Sequence, residues 1–467
     1  MLHVSVFILA GLLGSCQASH KTLCSELTSL QTKLSASATI ECGVQDVRWS
    51  EYAAPQPGAV ITPGSEGDIA TTVAFASDKN IPFLLQGGGH GWADTFSLGS
   101  SGIVIDVSGL KSITFNADRT NVTFEAGVII GDLVSAAWEN DARVMTGTCN
   151  CVGLLGATLG GGLGRTIGLY GMGADQLLAV NYVDGDGKSC TVTPEEDPDL
   201  WWALTGAGPN FGIVTSAVYR SYPVPQVNNT AWYGPLYYND SQIEAVVSAI
   251  NDLTLEPEMH LDFYYAGGTV LILPFYLGSE ETGRQKFASL LALGPLADET
   301  GIVPYNSWND GSASFCVEGG RKPAHSANLQ TLEPATWRSI WNEFVTFLDE
   351  HPEANDTSIL TECYSTVKAV EIGSSHSSYP WRDTKCYSMV IPWYTNSSLD
   401  NAANEFSQNV RSYWEASSGF SELNVYVNYA HGDESLSSVY GSSLPRLKTL
   451  KKIYDPQEKF NQWFPLS

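Results

Sequence analysis

Three consecutive glycines followed by one histidine constrain the fold of this chain more than any other stretch. The segment Leu84–Trp92 reads as a short strand that runs into a tight turn, with glycines at Gly87, Gly88, Gly89 and Gly91. Because glycine has no Cβ, such a turn can bring backbone N–H groups against a phosphate or pyrophosphate. The imidazole of His90 would then lie at the edge of a bound cofactor as a base, a ligand or a covalent attachment point. Taken alone, the motif fits a turn with a hydrogen-bonded surface histidine at least as well.

A second glycine-rich stretch, Thr146–Gly164, combines two cysteines with seven glycines. Its Gly160–Gly164 portion superficially matches a dinucleotide fingerprint, but the preceding strand, the helix and the later acidic residue of that motif are not convincingly present. A nicotinamide site is therefore disfavoured. The motif Cys149-Asn-Cys151 is typical of a metal site or a disulfide, yet no second Cys or His pair stands at ligand spacing, so we expect no metal. Close packing of these glycines beneath another layer remains an open alternative.

Together the two stretches resemble the FAD-binding domain of the vanillyl-alcohol-oxidase family, whose PCMH-type members combine a GGGH-type loop with a later G-x-C-x-x-V-G stretch. Gly102–Ser108 resembles the strand after the histidine loop, and Trp201–Thr215 resembles the closing segment. The tail around Tyr426–Tyr429 and Tyr454–Pro456 is similar to that of the berberine-bridge-enzyme-like branch. The resemblance covers nearly the whole mature chain, and among relatives it looks closest to fungal FAD-linked oxidoreductases of secondary metabolism.

This resemblance implies roles for individual residues. His90 would bond the flavin 8α-methyl group and Cys149 the flavin C6, although Cys151 is near enough in sequence to be an alternative. Two such bonds raise the redox potential of the flavin and leave it open to bulky substrates. Val152 matches a small aliphatic position through which O2 approaches the flavin, which favours an oxidase over a dehydrogenase. The predicted lining of the FAD site is completed by Gly87, Gly88, Gly89, Gly91, Gly153, Gly156, Gly160, Gly161, Gly162, Gly164, Gly212, Ile213 and Val214.

Oxidation of a C–H bond requires hydride acceptance at flavin N5 and a base for the departing hydroxyl or phenol proton. The segment Tyr426–Tyr429 predicts a strand, in which alternation places Tyr426 and Asn428 on one face and Tyr429 on the other. The resemblance directs the first face toward the flavin, so Tyr426 is the leading candidate base, ahead of Tyr429. A carboxylate base has no secure counterpart, and Glu362 is a guess. Tyrosines in strands are also common core residues.

Hydrophobic periodicity and the resemblance predict an α+β fold in three parts. A two-subdomain PCMH-type FAD-binding domain spans 19–226, a substrate domain with an antiparallel sheet covered by helices spans 227–424, and a berberine-bridge-like segment, 425–467, returns to the FAD domain. The main predicted helices are 68–79, 130–139, 241–253, 334–348 and 444–453. The main predicted strands are 82–86, 103–107, 122–126, 232–238, 261–265 and 270–273.

Composition and the N-terminus limit location and partners. A formal charge of −26 repels phosphate backbones and anionic lipid, so neither nucleic acid nor a membrane is expected as a partner. Residues 1–18 read as a cleaved signal peptide, with a buried N-terminal strand as the alternative. We therefore expect a secreted monomer with disulfides, Cys24–Cys42 being the favoured pair. Sequons for N-glycosylation agree with that route and stand at Asn121, Asn228, Asn239, Asn355 and Asn396.

Three functions fit these observations. The first is an FAD-dependent oxidase that acts on an alcohol or activated C–H bond of a secondary metabolite and produces H2O2 from O2. Its oxidation step can be coupled to cyclisation of the product. The second is an oligosaccharide oxidase that makes lactones. The third is a flavin-retaining cyclase or binding protein without redox turnover. Peroxide release separates the first two from the third, and sugar against phenolic substrates separates the first from the second.

Overall fold

A parallel βαβ arrangement places the first glycine loop at the edge of a four-stranded sheet. The computed structural model describes residues 23–467, so the predicted signal peptide, 1–18, lies outside the described residues. Helix 23–31 precedes the sheet, whose strands lie in the order Thr39–Cys42, Ala59–Thr62, Ile103–Asp106 and Phe83–Gln86. The last three strands are parallel, which requires crossover connections between them. One crossover is the helix Glu66–Lys79, which Ser65 caps by accepting a hydrogen bond from the Asp68 amide.

A second, antiparallel sheet provides the opposite side of the predicted FAD-binding region. Its strands lie in the order Ile113–Phe115, Asn121–Glu125, Ile213–Arg220, Leu177–Val183 and Ser189–Val192. Around it lie the short pair Ala142–Arg143 and Tyr222–Pro223 and the helices Ile130–Glu139, Leu154–Leu159, Ile167–Tyr170 and Pro198–Ala207. The second glycine-rich stretch therefore leads into a helix beside this sheet.

The third sheet has nine strands, all paired antiparallel, and forms the predicted substrate region. They are Thr230–Tyr233, Leu236–Tyr238, Met259–Ala266, Thr269–Tyr276, Ala297–Asp298, Gly301–Pro304, His325–Leu329, Ser358–Tyr364 and Cys386–Ile391. One face is covered by helices, of which the longest are Ile243–Asp252, Pro334–Glu350 and Asp400–Ser417; Glu280–Lys286 and Ala288–Leu291 are shorter. The short helix Val367–Ile372 packs instead against Ile167–Tyr170.

Alternation along Met259–Ala266 separates an apolar face from a polar one. Leu261, Phe263 and Tyr265 belong to the core under the helices. His260 and Asp262 have the opposite parity, so they point to the other face, away from that core. Both are almost fully buried. The sheet therefore presents polar side chains in a buried setting opposite its helices.

The C-terminal segment packs against the FAD-binding region. Its helices are Leu436–Tyr440 and Leu444–Tyr454, and the second contacts the helix Pro198–Ala207. The buried ammonium group of Lys451 donates hydrogen bonds to the carbonyl oxygens of Asn210 and Phe460 and to the Asp455 carboxylate, each at 2.7 Å. A buried amine needs such partners. These bonds tie the end of the chain to the loop before strand Ile213–Arg220.

The predicted α+β class, with FAD-binding and substrate regions, is confirmed; the three boundaries stay predictions. Two predicted strands are wrong in detail. Tyr426–Tyr429 forms a turn, closed by a bond from the Tyr429 amide to the Tyr426 carbonyl oxygen at 2.8 Å. The stretch 232–238 is interrupted at Gly234-Pro235, because proline cannot donate to a ladder and Gly234 has φ 143°. No helix in 23–467 is long and apolar enough to cross a membrane.

Three disulfides connect described cysteines. Cys24 bonds Cys42, as expected. The other two pairs are Cys151–Cys316 and Cys363–Cys386, which leaves Cys149 and Cys190 as free thiols among the described cysteines. The pair Cys151–Cys316 links the second glycine-rich stretch to a loop of the substrate region.

A buried ion pair between Arg382 and Asp175 generates a stability prediction. The guanidinium donates to both carboxylate oxygens at 2.7 and 2.9 Å and joins the substrate region to the FAD-binding region. Removing one partner leaves an unpaired buried charge, so Asp175→Ala should lower the free energy of unfolding by about 3–5 kcal/mol. Urea denaturation monitored by circular dichroism measures this.

The exposed pair of Arg446 and Asp199 provides the matched control. Because solvent screens such a pair, Asp199→Ala should change the free energy of unfolding by less than about 1 kcal/mol. Equal losses in the Asp175 and Asp199 variants would contradict the importance of burial at the first site.

Candidate active site

A cavity of about 300 Å³ lies between the first two sheets and the C-terminal segment. Residues at the ends of strands from both sheets line it, together with the stretch 460–463 of the C-terminal segment. Of the predicted site residues, the following line it: Gly87, Gly88, Gly89, His90, Gly91, Cys149, Val152, Gly153, Gly156, Gly212, Ile213, Val214, Tyr426, Asn428 and Tyr429. The structure therefore brings together residues that are more than three hundred positions apart in the sequence.

The two glycine loops are in direct backbone contact. A Cβ on Gly153 would lie 2.7 Å from the amide nitrogen of Gly88, and a Cβ on Gly88 would lie even closer to the amide nitrogen of Gly153. Both distances are too short for any side chain, so glycine is required at each position. Gly156 differs, since a Cβ there would meet nothing within 4 Å. The loops thus form a wall of bare backbone with open space in front of it, which suits a large planar cofactor with a pyrophosphate.

Four of the predicted cofactor glycines lie behind this wall. A Cβ on Gly161 would meet the Tyr379 ring at 2.9 Å, and one on Gly162 would meet the Gly173 backbone at 2.7 Å. Added carbons at Gly160 and Gly164 would clash with the Asn428 side chain and the Thr146 carbonyl oxygen. This geometry favours the alternative that the sequence left open, close packing beneath another layer, and corrects their assignment to the cavity lining.

His90 lies in an aromatic and cationic environment. Its ring stacks on Trp49 with centroids 5.5 Å apart and an interplanar angle of 21°. Burial, with the nearby cations of Lys322 and Arg48, lowers the pKa of His90 to about 4. The imidazole is therefore neutral at physiological pH, and a ring nitrogen has a free lone pair, the form required for a nucleophile or covalent attachment.

The ammonium group of Lys322 is buried, and no carboxylate within residues 23–467 forms an ion pair with it. It donates to the carbonyl oxygens of Trp49, Val317 and Gly319 at 2.5, 2.7 and 2.8 Å. It also lies 4.5 Å from the Trp49 ring centroid and 4.1 Å from that of Trp393. Burial lowers the pKa of Lys322 to about 8. Sequence reasoning missed this residue, because Arg-Lys-Pro in a loop carries no local signal of burial.

Cys149 is the cysteine that faces the cavity as a thiol. Cys151 is bonded to Cys316 and does not line the cavity, so the structure separates the two candidates that the sequence left together. Burial raises the pKa of the Cys149 thiol. The three sulfur atoms lie within 4.8 Å of one another, but two of them are spent in the disulfide and offer no thiolate to a metal.

All three predicted catalytic residues of the C-terminal segment line the cavity. Because Tyr426–Tyr429 is a turn, the argument from alternating strand faces is wrong, and Tyr429 lies beside Tyr426 with ring centroids 5.0 Å apart. The Tyr426 hydroxyl accepts from the Gly162 amide at 3.1 Å and from the Asn428 side chain at 2.7 Å. Its lone pairs are therefore engaged in holding the backbone together.

The Tyr429 hydroxyl has a different partner. It donates a hydrogen bond of 2.5 Å to the carboxylate of Glu362, which also accepts one from the Thr148 hydroxyl at 3.0 Å. Glu362 is 1% exposed on the polar face of the large sheet. Burial and the neighbouring carboxylate of Asp262, its direct partner on the next strand, raise the pKa of Glu362. Burial and the Glu362 charge likewise raise the pKa of Tyr429.

A buried network fixes that pair of carboxylates. His260 Nε2 lies 2.8 Å from an Asp262 oxygen, and an Arg165 guanidinium nitrogen lies 3.9 Å from the other. Arg165 also donates to the hydroxyl of Tyr233 at 3.2 Å. Sequence reasoning missed Arg165 and Asp262. Arg165 follows the second glycine-rich stretch and Asp262 lies in a predicted strand, and no local pattern indicates that the two side chains come together.

Comparison with known proteins supports this architecture. Residues 57–193 match the FAD binding domain family, and residues 425–463 match the family described as berberine and berberine like. The FAD-linked oxidoreductase srdI of Neurospora crassa is 31% identical over 90% of this chain and 86% of its own length. The chain therefore belongs to the FAD-linked oxidoreductases of the berberine-bridge-like, PCMH-type family, and it is an enzyme of the oxidoreductase class.

Solved structures share the fold at lower identity. BBE-like 1 of Physcomitrella patens superposes with a TM-score of 0.82 at 20% identity, covering 94% of this chain and 99% of that one. The glucooligosaccharide oxidase of Acremonium strictum, described with a 6-S-cysteinyl, 8α-N1-histidyl FAD, superposes with a TM-score of 0.80 at 17% identity, covering 95% and 99%. These likenesses confirm the fold.

The contact between the glycine loops generates a second stability prediction. In Gly153→Ala the new methyl group meets the backbone of Gly88, which cannot move without disturbing both loops, so we expect a loss of about 1–3 kcal/mol in the free energy of unfolding. Gly301→Ala is the control, because a Cβ there meets nothing within 4 Å. An unfolding temperature for the Gly153 variant equal to that of the Gly301 variant would refute the close contact.

Proposed function

We propose that this protein is an FAD-dependent oxidase that removes a hydride from an alcohol or activated C–H bond of a small organic substrate and passes the electrons to O2, giving H2O2. The observation that carries the proposal is the convergence of His90, Cys149 and Tyr429 on one cavity walled by glycine backbone, with Glu362 bonded to the Tyr429 hydroxyl from behind. When bound, FAD supplies the hydride acceptor. His90 and Cys149 would hold it covalently, as the two side chains with nucleophilic atoms on that wall.

The proton path follows from the short bond between Tyr429 and Glu362. The raised pKa of Tyr429 keeps it a phenol, so it cannot accept the substrate proton without releasing its own. Glu362 accepts that released proton across 2.5 Å as Tyr429 takes the proton of the substrate hydroxyl. Tyr429 thus acts as the base that touches substrate, and Glu362 is the final acceptor. Tyr426 and Asn428 hold the turn that carries Tyr429.

The surroundings of Tyr429 favour an apolar or aromatic substrate. Its ring stacks on Trp92 with centroids 6.2 Å apart, and a neighbouring buried cluster contains Leu360 and Met389, with the half-buried Phe315 packed against it. A sugar would leave its hydroxyl groups unpaired against such a wall. We therefore place aromatic or polyketide-like secondary metabolites ahead of oligosaccharides. Cyclisation of the oxidised product stays a secondary possibility of the same site.

Secretion, glycosylation and a monomeric state complete the proposal. Three disulfides suit an oxidising compartment. Of the five sequon asparagines, four are exposed and Asn121 is half-buried; the exposed ones are Asn228, Asn239, Asn355 and Asn396. Glycosidase treatment of secreted protein, followed by mass measurement, tests their occupancy. Val152 lines the cavity, as access of O2 to the flavin would require.

A panel of aromatic alcohols, polyketide alcohols and oligosaccharides, assayed for peroxide release, tests the activity. We expect peroxide with the aromatic or polyketide members. Peroxide with oligosaccharides alone would move the protein to the lactone-forming class, and flavin reduction with no peroxide would contradict the oxidase assignment. Absence of flavin reduction with every class would favour a binding or cyclase role.

Covalent attachment generates a separate prediction. Acid-precipitated wild-type protein should stay yellow, and His90→Ala and Cys149→Ala should each stay yellow because the other residue still holds the flavin. The double variant should release all flavin into the supernatant. Absorbance of pellet and supernatant measures this, and a colourless pellet from the wild-type protein would contradict covalent attachment altogether.

The proton path generates the next prediction. Tyr429→Phe and Glu362→Gln should each lower kcat/KM by about 10²–10⁴-fold, the range for loss of a general base. Tyr426→Phe should lower it far less, because its hydroxyl bonds the backbone of Gly162 and Ala157 rather than a carboxylate. The three variants are compared by stopped-flow flavin reduction with unchanged circular dichroism as the folding control.

The same residues predict the pH profile. Glu362 must be ionised to accept the proton, and burial raises its pKa above the ordinary value. The acidic limb of the pH–activity profile should therefore lie at a higher pH than the pKa of an exposed glutamate. The residual activity of Glu362→Gln should lack this limb. A limb that persists unchanged in that variant would assign the titration to another group.

A further inference from the structure

A free thiol lies next to a disulfide at the wall of the cavity. Cys149 Sγ is 3.5 Å from Cys151 Sγ and 4.0 Å from Cys316 Sγ, while Cys151 and Cys316 are bonded to each other. All three residues are half-buried, so small reagents can reach them. Of the two other disulfides of the described chain, neither has a third cysteine in such a cluster. This arrangement contains every atom needed for thiol–disulfide exchange.

The two loops that carry these sulfurs are held together independently of the disulfide. The Asn309 side-chain amide donates to the Gly147 carbonyl oxygen at 3.3 Å and to the Asn150 side-chain oxygen at 3.1 Å. The Ser312 hydroxyl donates to the Thr148 carbonyl oxygen at 2.8 Å. Breaking the Cys151–Cys316 bond therefore need not separate the loops, and the three sulfurs stay within reach of one another.

We propose that Cys149, Cys151 and Cys316 form a three-sulfur exchange site. The Cys149 thiolate attacks Sγ of Cys151 or Cys316; one S–S bond forms as the Cys151–Cys316 bond breaks, and the displaced sulfur leaves as a thiolate that takes up the proton given up by Cys149. The number of S–S bonds is unchanged, so no oxidant or reductant is consumed. Three pairings interconvert, and each leaves one thiol.

The exchange has a consequence for the cofactor, which rests on the proposed function. Only the pairing Cys151–Cys316 leaves Cys149 free to bond flavin C6. A thioether at Cys149 removes the attacking thiolate, so attachment stops the exchange and fixes the substrate-region loop, Asp310–Cys316, to the FAD-binding region. Attachment of the flavin to Cys149 would therefore also restrict the remaining two cysteines to the single pairing Cys151–Cys316.

Alkylation of flavin-free protein, made by riboflavin-limited expression, tests the exchange. The folded protein is incubated with iodoacetamide at mildly alkaline pH for hours, the scale of uncatalysed disulfide rearrangement, then quenched in acid and digested without reduction. Mass spectrometry should find label on Cys149, Cys151 and Cys316. Label confined to Cys149 and the exposed thiol of Cys190 would overturn the proposal.

Two variants separate exchange from simple reduction. In Cys149→Ser the attacking sulfur is gone, so label on Cys151 and Cys316 should fall to the background found on Cys24 and Cys42; persistent label there would overturn the proposal. Cys190→Ser is the matched control and should leave the label on the three-sulfur site unchanged. His90→Ala, prepared under the same riboflavin limitation, gives a second flavin-free sample and should show the same label on the three cysteines. In all samples, only fractions in which the Cys24–Cys42 and Cys363–Cys386 peptides remain disulfide-bonded are scored, as the folding control.

Flavin-loaded protein distinguishes the two proposals. Loaded protein should carry no label on any of the three cysteines. If it is labelled like the flavin-free protein, exchange stands and flavin attachment at Cys149 fails. If the flavin-free protein shows label on Cys149 and Cys190 alone while the loaded protein retains flavin on Cys149, attachment stands and exchange fails.

Discussion

The approach of two backbone segments that carry no side chains determines the rest of this site. Gly88 and Gly153 come so close that neither tolerates a Cβ, and this contact places His90 and Cys149 on one wall. The second loop is fixed in turn by bonds from the Ile130 amide to the Val152 carbonyl oxygen and from the Leu154 amide to the Val128 carbonyl oxygen, both at 3.0 Å. The positions of both nucleophilic side chains are thus set by main-chain geometry.

Charge inside the protein is arranged around this wall in two opposing groups. On the His90 side, the buried cation of Lys322 lies between two indole rings, and burial together with the cations of Lys322 and Arg48 lowers the pKa of His90. On the other side, Asp262 and Glu362 lie opposite each other on adjacent strands, and burial together with the Asp262 carboxylate raises the pKa of Glu362. The neutral imidazole of His90 thus faces the cavity directly, whereas Glu362 reaches it only through the hydroxyl of Tyr429.

The fold and the wall of the cavity could be predicted from the sequence, whereas the proton acceptor could not. Glycine runs, strand alternation and the C-x-x-V-G register are local patterns, so they locate His90 and Gly153 without tertiary information. Tyr426–Tyr429 has the alternation of a strand, but distant bonds decide its conformation: the Val425 amide bonds the Ser438 carbonyl oxygen, and the Asn328 amide bonds that of Asn424. Glu362 was only a guess because its partners come from segments more than sixty residues away.

The hydrogen bond between Tyr429 and Glu362 also has a mechanical meaning. Tyr429 belongs to the C-terminal segment that is fastened to the FAD-binding region through Lys451, whereas Glu362 belongs to the large sheet. The two residues of the proposed proton path thus belong to different regions of the fold. A hydrogen bond weakens steeply with distance, so a small shift between these regions would interrupt proton transfer while leaving the cofactor wall intact. The turnover rate of such an enzyme would therefore depend on how the C-terminal segment is positioned against the large sheet.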